Sequence, residues 1–120
     1  MQSIDPKLIS SWQQRFAQRE AESLALAERA RADLPEAVRI LKKYGAKRIV
    51  LFGSLCNPDR FHPGSDIDLA VEGIPSRDFN RAAADLMMAM DYRMDLKPFE
   101  KLTPFFRAMI RKKGKTIYAQ

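Results

Sequence analysis

Two runs, "KRIVLFG" at 47–53 and "SDIDLAVEG" at 65–73, constrain this chain more than anything else in it. The first is β-branched and apolar, the mark of a buried strand. It stops at Gly53-Ser54. The segment "SLCNPDRFHPG" holds two prolines and reads as a short helical turn followed by a loop. The second run then alternates, with Asp66, Asp68 and Ala70 on one side and Ile67, Leu69 and Val71 on the other. A strand that opens with two aspartates forgoes packing at both positions, so they need a reason other than folding.

The flanking sequence supplies helices. "DPKLISSWQQRFAQREAESLALAERARADL" reads as one long helix, with Asp5 as cap and Pro6 at its first position. Ile9, Trp12, Phe16, Leu24, Ala27 and Ala30 recur at three- and four-residue steps. Pro35 must break it, because proline has no N–H to give to residue 31. "PEAVRILKKYG" is a second helix, with Val38, Leu41 and Tyr44 on one side and Gly45 as its C-cap. Ser76 is expected to cap a third over "PSRDFNRAAADLMMAM", carrying Phe79, Ala83, Leu86, Met87 and Met90 on one stripe. Met87, Met88 and Met90 are expected in the core. "YRMDLKPF" (92–99) is a third strand, in which Arg93, Asp95 and Lys97 share a parity. Thr103 caps a last helix that stops at Gly114, and "KTIYA" is an edge strand. The expected fold is α+β: a small mixed sheet with helices on one face and a long N-terminal helical extension. Residues 1–36 form the extension and 37–120 the main domain.

Composition excludes several classes. The chain has 120 residues, 46% hydrophobic and 30% charged, which suits one globular domain and argues against disorder. A single cysteine, Cys56, forbids an intrachain disulfide and suits a reducing compartment. No apolar run approaches the ~20 residues that cross a bilayer, and the first residues lack a signal-peptide pattern. A cytoplasmic protein without membrane contact is expected. The net charge of +6 concentrates in 101–115, where six Lys and Arg meet no acid. Apart from the adjacent Phe105 and Phe106 no aromatic interleaves with those charges, so nucleic-acid binding is not expected.

The chemistry lies in the carboxylates. Two aspartates at i and i+2 on a strand share a face at roughly 7 Å, and like charges so close call for a cation. Hard oxygen ligands suit Mg²⁺ or Mn²⁺. Asp95 reaches the same point if its strand pairs beside the second. Three carboxylates then suffice for two metals, one on a nucleotide's phosphates and one on an attacking hydroxyl. Gly53-Ser54, a bare backbone turn with a hydroxyl, makes a phosphate cradle. His62 is expected to be exposed and idle, and Cys56 to pack. Arg60 and Lys97 are expected to be solvated charges within reach of phosphate.

"LFGS", "SDIDLAV" and "MDLKPF", in this order, resemble the nucleotidyltransferase superfamily that includes DNA polymerase beta. More narrowly they resemble the minimal nucleotidyltransferases (MNT) of prokaryotes, marked by G-S, a spacer of about ten residues, and D-x-D. Here the spacer has eleven residues, Leu55 to Ser65. The resemblance covers about residues 37–119. It implies that Gly53 and Ser54, with Ser65 at the end of the spacer, hold the nucleotide. It implies that Asp66 and Asp68 bind both metals, with Asp95 as third ligand and base-like partner of the attacking hydroxyl. The reaction is attack on the α-phosphate of a nucleoside triphosphate, with pyrophosphate leaving.

Little sequence follows the third aspartate, so the acceptor is expected on another chain. In the minimal family the usual partner is a small all-helical HEPN protein, the pair forming a toxin–antitoxin module in which AMP passes from ATP to the toxin. Trp12 and Phe16 are expected to meet another chain, a partner or a second copy through the N-terminal helix. The alternatives are a nucleotide-binding regulatory subunit that acts by contact without turnover and, further off, an aminoglycoside-type transferase acting on a small molecule.

Overall fold

The long helix forms as its signals dictate. In a computed structural model that describes residues 5–56 and 61–120, α1 runs Pro6–Ala32 and its Lys7 N–H donates to the Asp5 carboxylate at 2.8 Å. Among the described residues, its buried positions, Ala27 and Ala30, lie in its last turns. Trp12 and Phe16 stand 54% and 72% exposed, so the stripe seen in the sequence is unpaired over the first half of α1. The helix breaks at Asp33, and Pro35 falls in the first turn of α2 (Leu34–Lys43), where a missing N–H costs nothing. Gly45 closes α2 at φ +100°, a value only glycine adopts freely. Its N–H donates to Lys42 O and that of Ala46 to Leu41 O, which satisfies the last carbonyls.

Four strands form one sheet: β1 (Arg48–Phe52), β2 (Ile67–Glu72), β3 (Met94–Pro98) and β4 (Lys115–Ala119). Their order is β3-β2-β1-β4, antiparallel at β1–β2 and β1–β4 and parallel at β2–β3, so the sheet is mixed. The parallel pair is joined by α3 (Ser76–Ala89), and α4 (Pro104–Lys113) lies on the crossing from β3 at one edge to β4 at the other. Alternation along β1 and β2 gives the sheet two apolar faces. Ile49, Leu51, Ile67, Leu69 and Val71 pack under α1, α2 and α3. Val50 and Ala70 face the other way, against Phe99 and Ile110. Helices α1–α3 therefore share one face as expected. The fourth lies on the opposite face because Phe106 and Ile110, one turn apart, meet Phe52 and Val50 there.

Two local expectations are corrected. Ser76 does not cap α3: Pro75 is the N-cap, no side chain caps the end, and Ser76 is its first residue. Met87 and Met88 are not core, being 60% and 89% exposed. The buried side of α3 runs through Ala82 and Leu86, so the next two residues rotate out to solvent. Met90 does pack against the core, and Thr103 does cap α4, its hydroxyl accepting from the Phe106 N–H at 3.2 Å. Arg31 at the end of α1 donates to Leu55 O at 3.0 Å and so ties the helix to the turn after Ser54.

Candidate active site

Asp68 sits inside β2 and Asp95 inside β3, and the two are direct partners across the parallel ladder. Adjacent strands lie about 4.8 Å apart, so both carboxylates rise from one edge of the same face. Asp66 lies just before the strand, which begins at Ile67 rather than at 65. Its position is still fixed, because the Ile67 N–H donates to Arg93 O at 2.9 Å. The carboxylate of Asp66 accepts from Arg93 Nε at 2.8 Å, and Lys97 Nζ lies 3.3 Å from Asp95. Arg93 and Lys97 thus flank the aspartates as counter-charges. Sequence parity placed Arg93 and Lys97 beside Asp95, but it gave no sign that Arg93 would take Asp66.

Asp68 has neither cation to itself. Partial burial, then the negative charge of Asp95, then that of Asp66, push its carboxyl from 3.8 to about 6, with Lys97 opposing. Gly53 closes in on it. Phe52 is the ladder partner of Asp68, and Gly53 follows at φ +76°. A Cβ on Gly53 would come within 2.1 Å of Asp68 Oδ2, so only a bare backbone fits. The turn Gly53–Cys56 that follows is a short 3-10 segment, with Ser54 half-buried.

Ser65 has a local partner. Its hydroxyl accepts from the His62 N–H at 3.1 Å and its own N–H donates to His62 O at 2.8 Å, which closes the end of the loop. His62 is exposed and its Nδ1 accepts from the Gly64 N–H. Cys56 packs against the core, donates to Leu51 O at 3.2 Å, and has its thiol pKa raised by burial. Arg60 lies outside the described residues.

The donor set fits a hard divalent cation. Asp68 carries negative charge that its neighbours make unfavourable, and all the candidate ligands are carboxylate oxygens. Among the described residues, however, no three acidic, His or Cys side chains converge as a ready-made metal cage. Arg93 and Lys97 each engage one oxygen of Asp66 and Asp95, which leaves the second oxygen of each carboxylate open to a cation.

The family model for "Polymerase beta, Nucleotidyltransferase" matches residues 36–120. The chain belongs to that family. This nucleotidyltransferase also resembles solved structures. A toxin–antitoxin with AMP-PNP is 24% identical over 69% of this chain and 70% of that one, with a TM-score of 0.60. The toxin–antitoxin MntA–HepT is 20% identical over 75% and 73%, at 0.58. A protein assigned as a minimal nucleotidyltransferase is 24% identical over 73% and 92%, at 0.63. At these identities the likeness establishes the fold, an α+β polymerase beta-like core. No curated protein matches the sequence. No helix among the described residues is long and apolar enough to cross a membrane.

Beyond the aspartates, the nucleotidyltransferase has a feature that sequence reasoning missed. A cavity of about 390 Å³ adjoins Gly53 and Ser54, walled by Phe52, Cys56, Phe106 and Met109. The signal was present in "TPFFRAMI", where Phe106 and Ile110 are one turn apart. What hid it was the face: α4 was assigned to the side of the other helices.

Proposed function

We propose that this nucleotidyltransferase is metal-dependent and transfers AMP from ATP to a hydroxyl on a partner protein, as the antitoxin of a HEPN/MNT toxin–antitoxin pair. The observation that carries the reading is the juxtaposition of Asp68 with both Asp95 and the bare backbone of Gly53. It sets a carboxylate pair beside a turn that phosphate oxygens can approach. Gly53 and Ser54, with Ser65 in support, hold the triphosphate through backbone N–H groups and hydroxyls. Mg²⁺ or Mn²⁺ on Asp66, Asp68 and Asp95 would neutralise phosphate charge and lower the pKa of the attacking hydroxyl.

The chain's own residues do the positioning. The acceptor oxygen attacks the α-phosphorus and its proton passes to Asp95. The bond from that phosphorus to the β-bridging oxygen breaks, and pyrophosphate leaves with the electron pair. Arg93 and Lys97 hold Asp66 and Asp95 in place until substrate arrives.

Residues 37–120 form the catalytic domain, and 1–36 the arm that meets the partner. Trp12 and Phe16, exposed on the unpaired part of α1, give that arm an apolar stripe. Two of the similar folds are toxin–antitoxin structures, one with AMP-PNP, which supports the choice of partner class and nucleotide. A second reading has one observation in its favour. Arg93 and Lys97 already neutralise Asp66 and Asp95, as suits a nucleotide-binding subunit that acts by contact without turnover.

One experiment separates the two. The full chain is incubated with labelled ATP, Mg²⁺ and the product of its neighbouring open reading frame. Transfer of label that is lost in Asp68→Asn and in Asp95→Asn is the expected result. A tight complex with no transfer under any divalent ion overturns the enzyme reading in favour of contact.

A further inference from the structure

We propose that the cleft between α4 and the Gly53–Cys56 turn seats the base of the nucleotide, and that Lys113 at its rim holds the triphosphate. The proposal rests on the reading of Gly53-Ser54 as the phosphate cradle and adds where the rest of the ligand lies. The cleft shares Gly53 and Ser54 with that cradle, and Gly53 in turn abuts Asp68. Its cavity of about 390 Å³ is ample for a purine. Its walls are mostly apolar: Phe52 and Phe106 meet edge to face, with ring centroids 5.9 Å apart, and Met109 and Ile110 continue the α4 side. Such a surface offers a planar ring dispersion and stacking without base-specific hydrogen bonds.

Ser54 and Lys113 line the cleft among its apolar walls, so a ligand here combines an apolar part with an anionic one. A nucleotide has that form. The acceptor side chain does not qualify. Attacking oxygen and departing pyrophosphate lie on opposite sides of the α-phosphorus. A group seated against the pyrophosphate cradle is on the leaving side, where no acceptor can attack. Met109, 41% exposed beside buried Ile110, is a wall of the cleft.

The test compares binding of Mg·ATP and Mg·tripolyphosphate to the full-length chain by calorimetry. Wild type is expected to bind ATP at least about tenfold more tightly than tripolyphosphate, the advantage coming from base stacking. Phe106→Leu keeps apolar volume but removes the ring, and Met109→Gln changes only an exposed wall. Each should erase most of the advantage by weakening ATP while leaving tripolyphosphate unchanged. Lys113→Ala should weaken both ligands several-fold. The cleft is refuted if ATP binds wild type no better than tripolyphosphate, or if ATP binding is indifferent to both cleft variants. A wild type that transfers AMP yet shows that indifference loses the cleft alone. A wild type that binds neither ligand loses the phosphate cradle as well.

Discussion

Replacing Asp68 by asparagine should stabilise the metal-free protein at neutral pH while abolishing transfer. Burial and the charges of Asp95 and Asp66 hold the Asp68 carboxyl at about 6 instead of 3.8, so the folded chain keeps a proton that the unfolded chain gives up. Below 3.8 both states are protonated and the site costs nothing. As pH rises from there to about 6, unfolding releases a proton and stability falls; above that the penalty is constant. The full displacement corresponds to about 3 kcal/mol, at about 1.4 kcal/mol per pH unit. Asp68 is only partly buried, and solvent and salt screen its neighbours, so about 1–1.5 kcal/mol is the figure to expect. Asparagine keeps the shape and discards the charge.

The assay is urea unfolding of both proteins in chelator, followed by circular dichroism at about pH 7.5 and about pH 4. The variant should be more stable by the stated amount at the higher pH, a gain of several degrees in Tm. The gain should shrink toward the lower pH, where folded Asp68 is protonated and unfolded Asp68 is about half so. Mg²⁺ should then raise the stability of wild type at neutral pH and leave Asp68→Asn unmoved. A variant that is no more stable than wild type at neutral pH refutes the electrostatic account of Asp68. So does a gain of equal size at both pH values, which would be packing rather than charge.

Gly53→Ala should leave the fold intact but reduce transfer by about a hundredfold, because a Cβ 2.1 Å from Asp68 Oδ2 displaces that carboxylate by an ångström or so. The positive φ adds about 1–2 kcal/mol of backbone strain, read as a lower Tm. Leu86→Ala, at a fully buried position on α3, should cost about 2–5 kcal/mol in urea unfolding. Met88→Ala two residues on, 89% exposed, should fall within about 0.5 kcal/mol of wild type; a large loss there would mean the helix is rotated. The pair Trp12→Ser with Phe16→Ser should leave unfolding within about 1 kcal/mol of wild type, since both side chains are exposed. The same pair should weaken association with the partner protein, measured by analytical ultracentrifugation, and unchanged association would remove α1 as the docking arm.

What the sequence disclosed, and what it hid, follows from the range of the interactions. Signals that act within a turn of chain were readable: the Asp5 and Thr103 caps, the break at Pro35, and the C-cap at Gly45 all depend on residues a few positions apart. The α+β class was readable because strand and helix periods differ. Ser76 failed as a cap because Pro75, already fixed at φ −57°, can end the preceding turn without a side-chain acceptor. Met87 and Met88 failed because five apolar residues in a row, Leu86 to Met90, leave the buried stripe undetermined until α3 is set on the sheet. The placement of α4 could not be read, since both faces of β1 are apolar and only the three-dimensional fit of Phe106 to Phe52 chooses between them.

The aspartates show the same division in one place. The spacing of Asp66 and Asp68 was visible, but their equivalence was not real. Asp68 is in the strand, hemmed by Gly53 and Asp95, and its carboxyl titrates near 6; Asp66 stands outside the strand and is held by Arg93. A charge left uncompensated at Asp68 while its neighbours are paired gives the apo site a single point of instability. Whatever cation arrives, alone or with a phosphate-bearing ligand, gains most by relieving that point. Neutralising Asp68 should therefore uncouple ligand binding from stability, whereas removing Arg93 should leave that coupling in place.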